Sequence, residues 1–161
     1  MTLQATVQDA EARLQHALDL GFRYLGHRDR TVFEMRRHLE AKRVEPETIA
    51  AALAELERLG NLDDARFARL FAEDRRTLDG WGPERIERRL TQMGVDAELV
   101  ASVTARDPAE ELDAAVAVLR RRMHVPPDDD RGREKALGLL VRRGYDLDTA
   151  YAAVRAFGAA A

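Results

Sequence analysis

Apolar residues recur at three- and four-residue spacing along most of the chain, and no stretch of useful length alternates apolar with polar, so the pattern predicts an all-α protein. Between Asp9 and His27, Leu14, Leu18, Phe22 and Leu25 mark one helical face. Gly21 and Gly26 weaken that helix by roughly 1 kcal/mol each if they fall inside it. Thr31-Val32-Phe33-Glu34 has the form of a capping box and opens a second helix with Met35 and Leu39 facing inward. Glu45-Pro46 starts a third, carrying Ile49, Ala52, Leu53, Leu56 and Leu59 before Gly60 stops it. Further starts follow at Asp63, at Pro83 just after Gly82, and at Asp107-Pro108-Ala109-Glu110, which reads as a capping box with proline at the first helical position.

The pattern repeats. Setting Leu39, Leu90 and Leu140 equal brings together Thr31, Gly82 and Gly132, then Met35, Ile86 and Ala136, then Val44, Val95 and Tyr145. Agreement without gaps over about 24 positions is an internal repeat. Each copy is preceded by another helix, at Asp9–His27, Asp63–Asp79 and Asp107–His124. The predicted fold is a tandem array of three three-helix repeats, residues 9–60, 61–106 and 107–161, stacked into a curved, elongated, solenoid-like molecule. Residues 1–8 read as a flexible tail, Gly158–Ala161 as a frayed end, and Pro126-Pro127-Asp128-Asp129-Asp130-Arg131-Gly132 as the clearest loop.

Composition narrows the function. The 161 residues are 45% hydrophobic and 34% charged, enough for a sizeable core. No apolar run approaches a membrane span and the start lacks a signal-peptide pattern, so the chain reads as a cytoplasmic monomer with no membrane partner. There is no cysteine for disulfides or thiolate metal sites. His16, His27, His38 and His124 have no metal-ligand spacing, Asp128-Asp129-Asp130 lacks the alternation of a calcium loop, and Gly80-Trp81-Gly82 is too short to cradle phosphate. No catalytic, cofactor-binding or metal-binding residue emerges, and the chain is not read as an enzyme. Trp81, the only tryptophan, is either a plug between the first two helices of the middle repeat or an exposed aromatic anchor.

Net charge is −3, so no whole-molecule attraction to nucleic acid is expected. Sorted by helix the picture changes: the second helices with their entries, residues 28–43, 82–94 and 131–143, carry +3, +1 and +4. These are either solvated faces whose arginine stems cover apolar surface, or a repeated basic stripe for an anionic partner.

The runs Gly60-Asn61-Leu62-Asp63-Asp64-Ala65-Arg66-Phe67-Ala68 and Gly80-Trp81-Gly82-Pro83-Glu84-Arg85-Ile86, with Leu90, Gly94 and Val95, resemble the core signature of the bacterial RecX regulatory proteins. Leu25-Gly26-His27-Arg28-Asp29-Arg30-Thr31 with Glu34-Met35 and Leu39 is similar to that family's first-repeat signature. The resemblance covers about residues 10–157. It implies a three-repeat protein that binds the RecA recombinase filament on DNA and lowers its ATPase, strand-exchange and coprotease activities, with no catalytic residues, no cofactor, and weak direct DNA binding left open. On this reading Gly60, Leu62, Asp63, Asp64, Phe67, Ala68, Trp81, Gly82, Pro83, Ile86, Leu90 and Gly94 are mainly structural. The partner-binding candidates are Arg28, Arg30, Arg36, Arg37, Arg85, Arg88, Arg89, Arg131, Arg133 and Lys135. The alternative is a helix-turn-helix-like DNA-binding regulator acting without RecA. One position departs from the family: where Gly94 and Gly144 end the second helix, the first repeat has Arg43, which must either adopt the left-handed conformation or leave its helix differently.

Overall fold

The computed structural model describes residues 3–160 and, among them, contains helices and turns but no strand. The helices are α1 (Leu3–Leu25), α2 (Val32–Ala41), α3 (Pro46–Arg58), α4 (Asp64–Asp74), α5 (Pro83–Gln92), α6 (Ala97–Thr104), α7 (Pro108–Met123), α8 (Asp130–Arg143) and α9 (Leu147–Ala159), with a π-helical turn at Arg75–Asp79. They form two compact units. The first runs up to Ala68 and includes the turn Met93–Asp96; the second comprises Arg69–Gln92 and the chain from Ala97 onward. Packing boundaries thus differ from the repeat boundaries, because the middle repeat contributes to both units.

In the first unit α1, α2 and α3 pack on one another around Ala17, Met35, Leu39, Ile49, Ala52, Leu53, Leu56 and Leu62. Of the face expected for α1, Leu14, Leu18 and Leu25 pack against this core and Phe22 does not. Phe22 is 41% exposed, whereas Gly21 faces the core: a Cβ there would lie 3.2 Å from Leu56 Cδ1 and 3.4 Å from Met35 Sδ. The glycine that weakens the isolated helix therefore permits close helix approach. Residues 3–8, expected as a tail, are helical, which extends α1 well before Asp9; Met1 and Thr2 lie outside the described residues.

The capping box at the start of α2 is formed in full. Thr31 Oγ1 accepts from Glu34 N at 3.1 Å and Glu34 Oε2 accepts from Thr31 N at 3.0 Å. Thr31 is completely buried, and its hydroxyl donates to Met93 O at 2.6 Å. Val32 N donates to Asp64 Oδ1 at 3.0 Å, which satisfies another of the helix's unpaired first-turn amides. Asp63 caps α4 by accepting from Arg66 N at 3.0 Å.

The second unit is built around α7, α8 and α9, which bury Ala115, Leu119, Ala136, Leu140, Tyr145, Ala150 and Phe157 among others, while α5 packs on α6. Three details depart from the sequence reading. The helix from Asp63 does not stay regular to Asp79, since its last turn is π-helical and ends in left-handed Gly80 (φ 65°). Asp107 caps α7 only through Ala109 N at 3.1 Å, without the reciprocal arm of a capping box. Finally, α8 starts at Asp130 rather than Gly132, capped by Asp129 accepting from Gly132 N at 2.7 Å, and the helix at the C-terminal end continues to Ala159.

The start of α5 is held by the end of α8. Gly82 N donates to Arg143 O at 2.7 Å and Glu84 N to Gly144 O at 3.0 Å. Backbone meets backbone so closely that a Cβ on Gly82 would lie 2.5 Å from Gly144 O, and one on Gly144 (φ 96°) 2.4 Å from Arg85 Cβ. Arg43 takes the left-handed conformation (φ 61°), with Arg43 N donating to Glu40 O at 2.9 Å and Val44 N to Leu39 O at 3.1 Å. The hydrogen bonds of Gly144 N and Tyr145 N to Val141 O and Leu140 O repeat this pattern in the third copy.

Two expectations follow from these turns. Arg43→Gly relieves the left-handed strain and should stabilise the protein by about 0.5–1 kcal/mol, seen as a higher Tm; an unchanged or lower Tm would show that the turn costs nothing. Gly144→Ala should cost about 3 kcal/mol or more, combining forbidden backbone with collision, whereas Gly158→Ala, with nothing within 4 Å of the added Cβ, should be neutral or slightly stabilising in the same melts.

Candidate partner-binding surface

The ten basic candidates divide by what their guanidinium groups already do. In the first unit, Arg28 is committed: its NH2 lies 2.6 Å from Glu34 Oε1 and its NH1 donates to Asp29 O at 2.7 Å. Arg30 stacks 3.8 Å over the Tyr24 ring and donates to Tyr24 O, while His38 stacks on the same tyrosine at 3.9 Å. Burial pushes the His38 imidazole below its ordinary pKa, and the neighbouring Lys42 and Arg30 charges push the same way. Arg36 and Arg37 are exposed; Arg37 reaches to 5.8 Å over Phe33.

In the second unit, Arg85 is half-buried 4.1 Å over the Trp81 ring and donates to Arg142 O at 3.2 Å. Trp81 also meets Phe71 edge-on at 6.1 Å, so the tryptophan sits inside a layered contact as a half-buried plug. Arg88 and Arg89 are exposed, with Arg89 donating to Gln92 Oε1 at 3.3 Å. Arg133 is tied to Asp130 at 2.7 Å, while Arg131 and Lys135 are exposed. Six candidates, Arg36, Arg37, Arg88, Arg89, Arg131 and Lys135, thus offer free or nearly free charge, and four are engaged in holding turns together.

The signature residues fall on the scaffold. Leu62, Ala68, Ile86 and Leu90 are buried, as is Gly82; Phe67 and Pro83 are half-buried, Asp63 and Asp64 cap helix starts, and Gly60 and Gly94 are left-handed turns. A Cβ on Gly94 would lie 2.2 Å from Phe33 Cγ.

A second basic group, absent from the candidate set, gathers at the π-helical turn. Arg143 donates to the Asp79 carbonyl, Arg121 NH2 lies 3.2 Å from where a Gly80 Cβ would be, and Arg121 and Arg122 line a cleft with Leu78, Asp79 and Val118. Burial lowers the Arg143 pKa, and the Arg122, Arg85 and Arg121 charges lower it further. The signal present in the sequence was the Arg120-Arg121-Arg122 run, which lies at the end of a first helix rather than on a second one.

No group of three or more His, Asp or Glu side chains among the described residues could hold a metal ion. No helix among them is long and apolar enough to cross a membrane.

Comparison with known proteins sharpens these assignments. Residues 17–56 match the family model described as RecX, first three-helix domain, and residues 63–103 the one described as RecX, second three-helix domain. The chain is 31% identical over 148 residues to the regulatory protein RecX of Amycolatopsis mediterranei, covering 90% of this chain and 85% of that protein. It is 35% identical over 143 residues to that of Stenotrophomonas maltophilia, covering 88% and 85%. Against the crystal structure of RecX from Lactobacillus salivarius the TM-score is 0.77 at 17% identity, over 91% of this chain and 97% of that one, which shows a shared fold.

The Arg28–Glu34 pair generates a pH expectation. Burial pushes the Glu34 carboxyl up, but the Arg28 hydrogen bond, the Thr31 amide and the Arg28 and Arg30 charges outweigh it, so its pKa lies below the ordinary 4.5. Its contribution to stability is therefore present above pH 4.5 and lost as pH falls through the lower folded value. Asp64 runs the other way, since burial raises its pKa despite the Val32 amide bond. A comparison of thermal melts isolates Glu34: the Tm gap between wild type and Glu34→Gln should be largest at neutral pH and close below pH 4.5; a gap independent of pH would contradict the assignment.

Proposed function

The chain belongs to the RecX family, and on that premise we propose that it binds the RecA filament on DNA and restrains its recombinase, ATPase and coprotease activities without catalysing a reaction itself. The relatives' shared description as regulatory proteins supports the regulatory half of this reading. The observation that carries the partner half is the recurrence of exposed cations on the equivalent helix of each repeat: Arg36 and Arg37 on α2, Arg88 and Arg89 on α5, and Arg131 and Lys135 on α8. In a chain of net charge −3, exposed basic side chains on the equivalent helix of every repeat, with Arg37 and Arg88 at the same repeat position, are suited to an anionic partner. The three sequence repeats, 9–60, 61–106 and 107–161, would each present one such helix, and a monomer suffices for this mode of binding.

The experiment is a titration of the protein into RecA, single-stranded DNA and ATP while hydrolysis is followed. Inhibition well below one molecule per RecA protomer is expected, and the combined variant Arg36→Ala, Arg37→Ala, Arg88→Ala, Arg89→Ala should lose about tenfold or more of it with an unchanged melting curve. Absence of inhibition at stoichiometric excess would overturn the proposal. A parallel binding assay with DNA alone separates filament modulation from sequestration of the DNA, because direct phosphate binding weakens by orders of magnitude between about 50 and 200 mM salt.

A further inference from the structure

The basic group at the π-helical turn differs in kind from the cations on the second helices. It is assembled from three separate elements of the second unit: the turn Arg75–Asp79 with Gly80, the last turn of α7 with Arg121 and Arg122, and the end of α8 with Arg143. Its residues enclose a cleft of about 230 Å³ lined by Leu78, Asp79, Val118, Arg121 and Arg122. That is room for roughly seven waters, and so for a short run of phosphates.

Three features show that the cleft is built rather than incidental. The π-helical turn displaces the chain so that Leu78 stands 70% exposed at the rim, and such turns concentrate at functional sites. Gly80 is left-handed and could not be replaced without collision, since its Cβ would meet Val118 Cγ2 at 2.8 Å and Arg121 NH2 at 3.2 Å. Its carbonyl accepts from the buried Tyr145 hydroxyl at 3.2 Å, and the Asp79 carbonyl accepts from Arg143, so the floor is fixed from α8 and the turn that follows it.

The positive charge at the cleft is only partly compensated. Its one lining carboxylate, Asp79, lies 2.6 Å from Arg75 and also faces Arg143, against the two further cations Arg121 and Arg122. Among the described residues no carboxylate is ion-paired with Arg121, Arg122 or Arg143. A favourable helix dipole accounts for one cation at the end of α7, but not for two lining the same cleft while Arg143 and Arg85 lie near enough to repel them. Exposed guanidinium groups that line one cleft, with no ion-paired carboxylate of their own, match a ligand that supplies several negative oxygens at once. Arginine's planar fork suits phosphate in particular, by paired hydrogen bonds.

We propose that this cleft is a phosphate-binding site in which Arg121 and Arg122 grip the phosphates of a polyanion and Arg143 fixes the floor on which they sit. The phosphates come either from a free polyphosphate or nucleotide or from a nucleic-acid backbone, and the chemistry of recognition is common to both. The site stands apart from the exposed cations of the second helices, and its test contains no RecA, so the outcome does not depend on the function proposed above.

The test is calorimetric titration of the intact protein with sodium tripolyphosphate and, separately, with a short single-stranded oligothymidylate, each at about 50 and 200 mM salt. Binding of tripolyphosphate, weakening with salt, is expected. Arg121→Ala with Arg122→Ala should lower that affinity by about tenfold or more, the paired lysine variants should recover part of the loss, and Arg23→Ala, at an exposed position of α1, should leave it unchanged. Oligonucleotide binding lost in the same alanine variant identifies the backbone as a source; tripolyphosphate binding without it identifies the free anion. Amide spectra of the wild-type protein give a readout free of folding effects, with shifts expected at Leu78, Gly80 and Arg122 on tripolyphosphate addition. Failure of both probes to bind at low salt, equal affinity in the alanine variant, or shifts confined to α1–α3 would overturn the assignment.

Discussion

A helix leaves its first amides without partners, and the way α2 and α5 satisfy theirs constrains the rest of the structure. Neither start is left to water alone. Val32 N donates to Asp64 Oδ1 and Glu34 N to Thr31 Oγ1, whose buried hydroxyl donates in turn to Met93 O, while Gly82 N donates to Arg143 O and Glu84 N to Gly144 O. Met93 and Arg143 occupy equivalent repeat positions, so the same carbonyl in the turn after a second helix receives the start of the preceding copy's second helix. Each junction brings backbone so close that the turn residue must lack a side chain: a Cβ on Gly94 or Gly144 would lie 2.2–2.4 Å from Phe33 or Arg85. Helix capping, the left-handed turn and the repeat spacing of about 50 residues are thus one requirement expressed three ways.

The same requirement explains Arg43. Among the described residues no backbone amide donates to the Lys42 or Arg43 carbonyl. Without a second-helix start docked on that turn, a side chain is accommodated there and backbone strain of about 1 kcal/mol remains. Left-handed geometry persists there because Val44 N still closes on Leu39 O at 3.1 Å. Glycine is thus needed where another helix start docks on the turn, as at Gly94 and Gly144, and not where none does.

What could be read from the sequence was local chemistry. Thr31 with Glu34, Asp63, Pro83 and Gly60 act within a few residues of where they stand, and each does what its pattern announced. Features set by distant partners were illegible. Gly21 looked like a helix weakness because Leu56 and Met35, which need its missing side chain, lie in other helices. The Met93 carbonyl that completes the environment of Thr31 is 62 residues away. On the candidate surface, counting charge by helix could not tell that Arg28 is spent on Glu34 and Arg85 on Trp81. Nor could it find a cleft whose cations come from the ends of α7 and α8, because the Arg120-Arg121-Arg122 run reads locally as charges at a helix C-terminus and Arg143 lies on another helix.

Arginine's dominance ties scaffold to surface. Only two of the 26 basic residues are lysines, Lys42 and Lys135. A lysine could supply surface charge, but it could not lie flat 3.8 Å over Tyr24 as Arg30 does, or over Trp81 while donating to Arg142 O as Arg85 does. The guanidinium is weakly hydrated for a cation, so partial burial costs it less than it would cost an ammonium, and Arg76 can keep its charge while donating to the Val103 carbonyl although burial lowers its pKa. Residues of one type therefore serve both purposes, and what separates a structural arginine from a binding one is whether a ring, a carbonyl or a carboxylate already occupies its fork. By that criterion Arg28, Arg30, Arg76, Arg85 and Arg133 belong to the scaffold, whereas Arg36, Arg88, Arg121 and Arg122 are exposed.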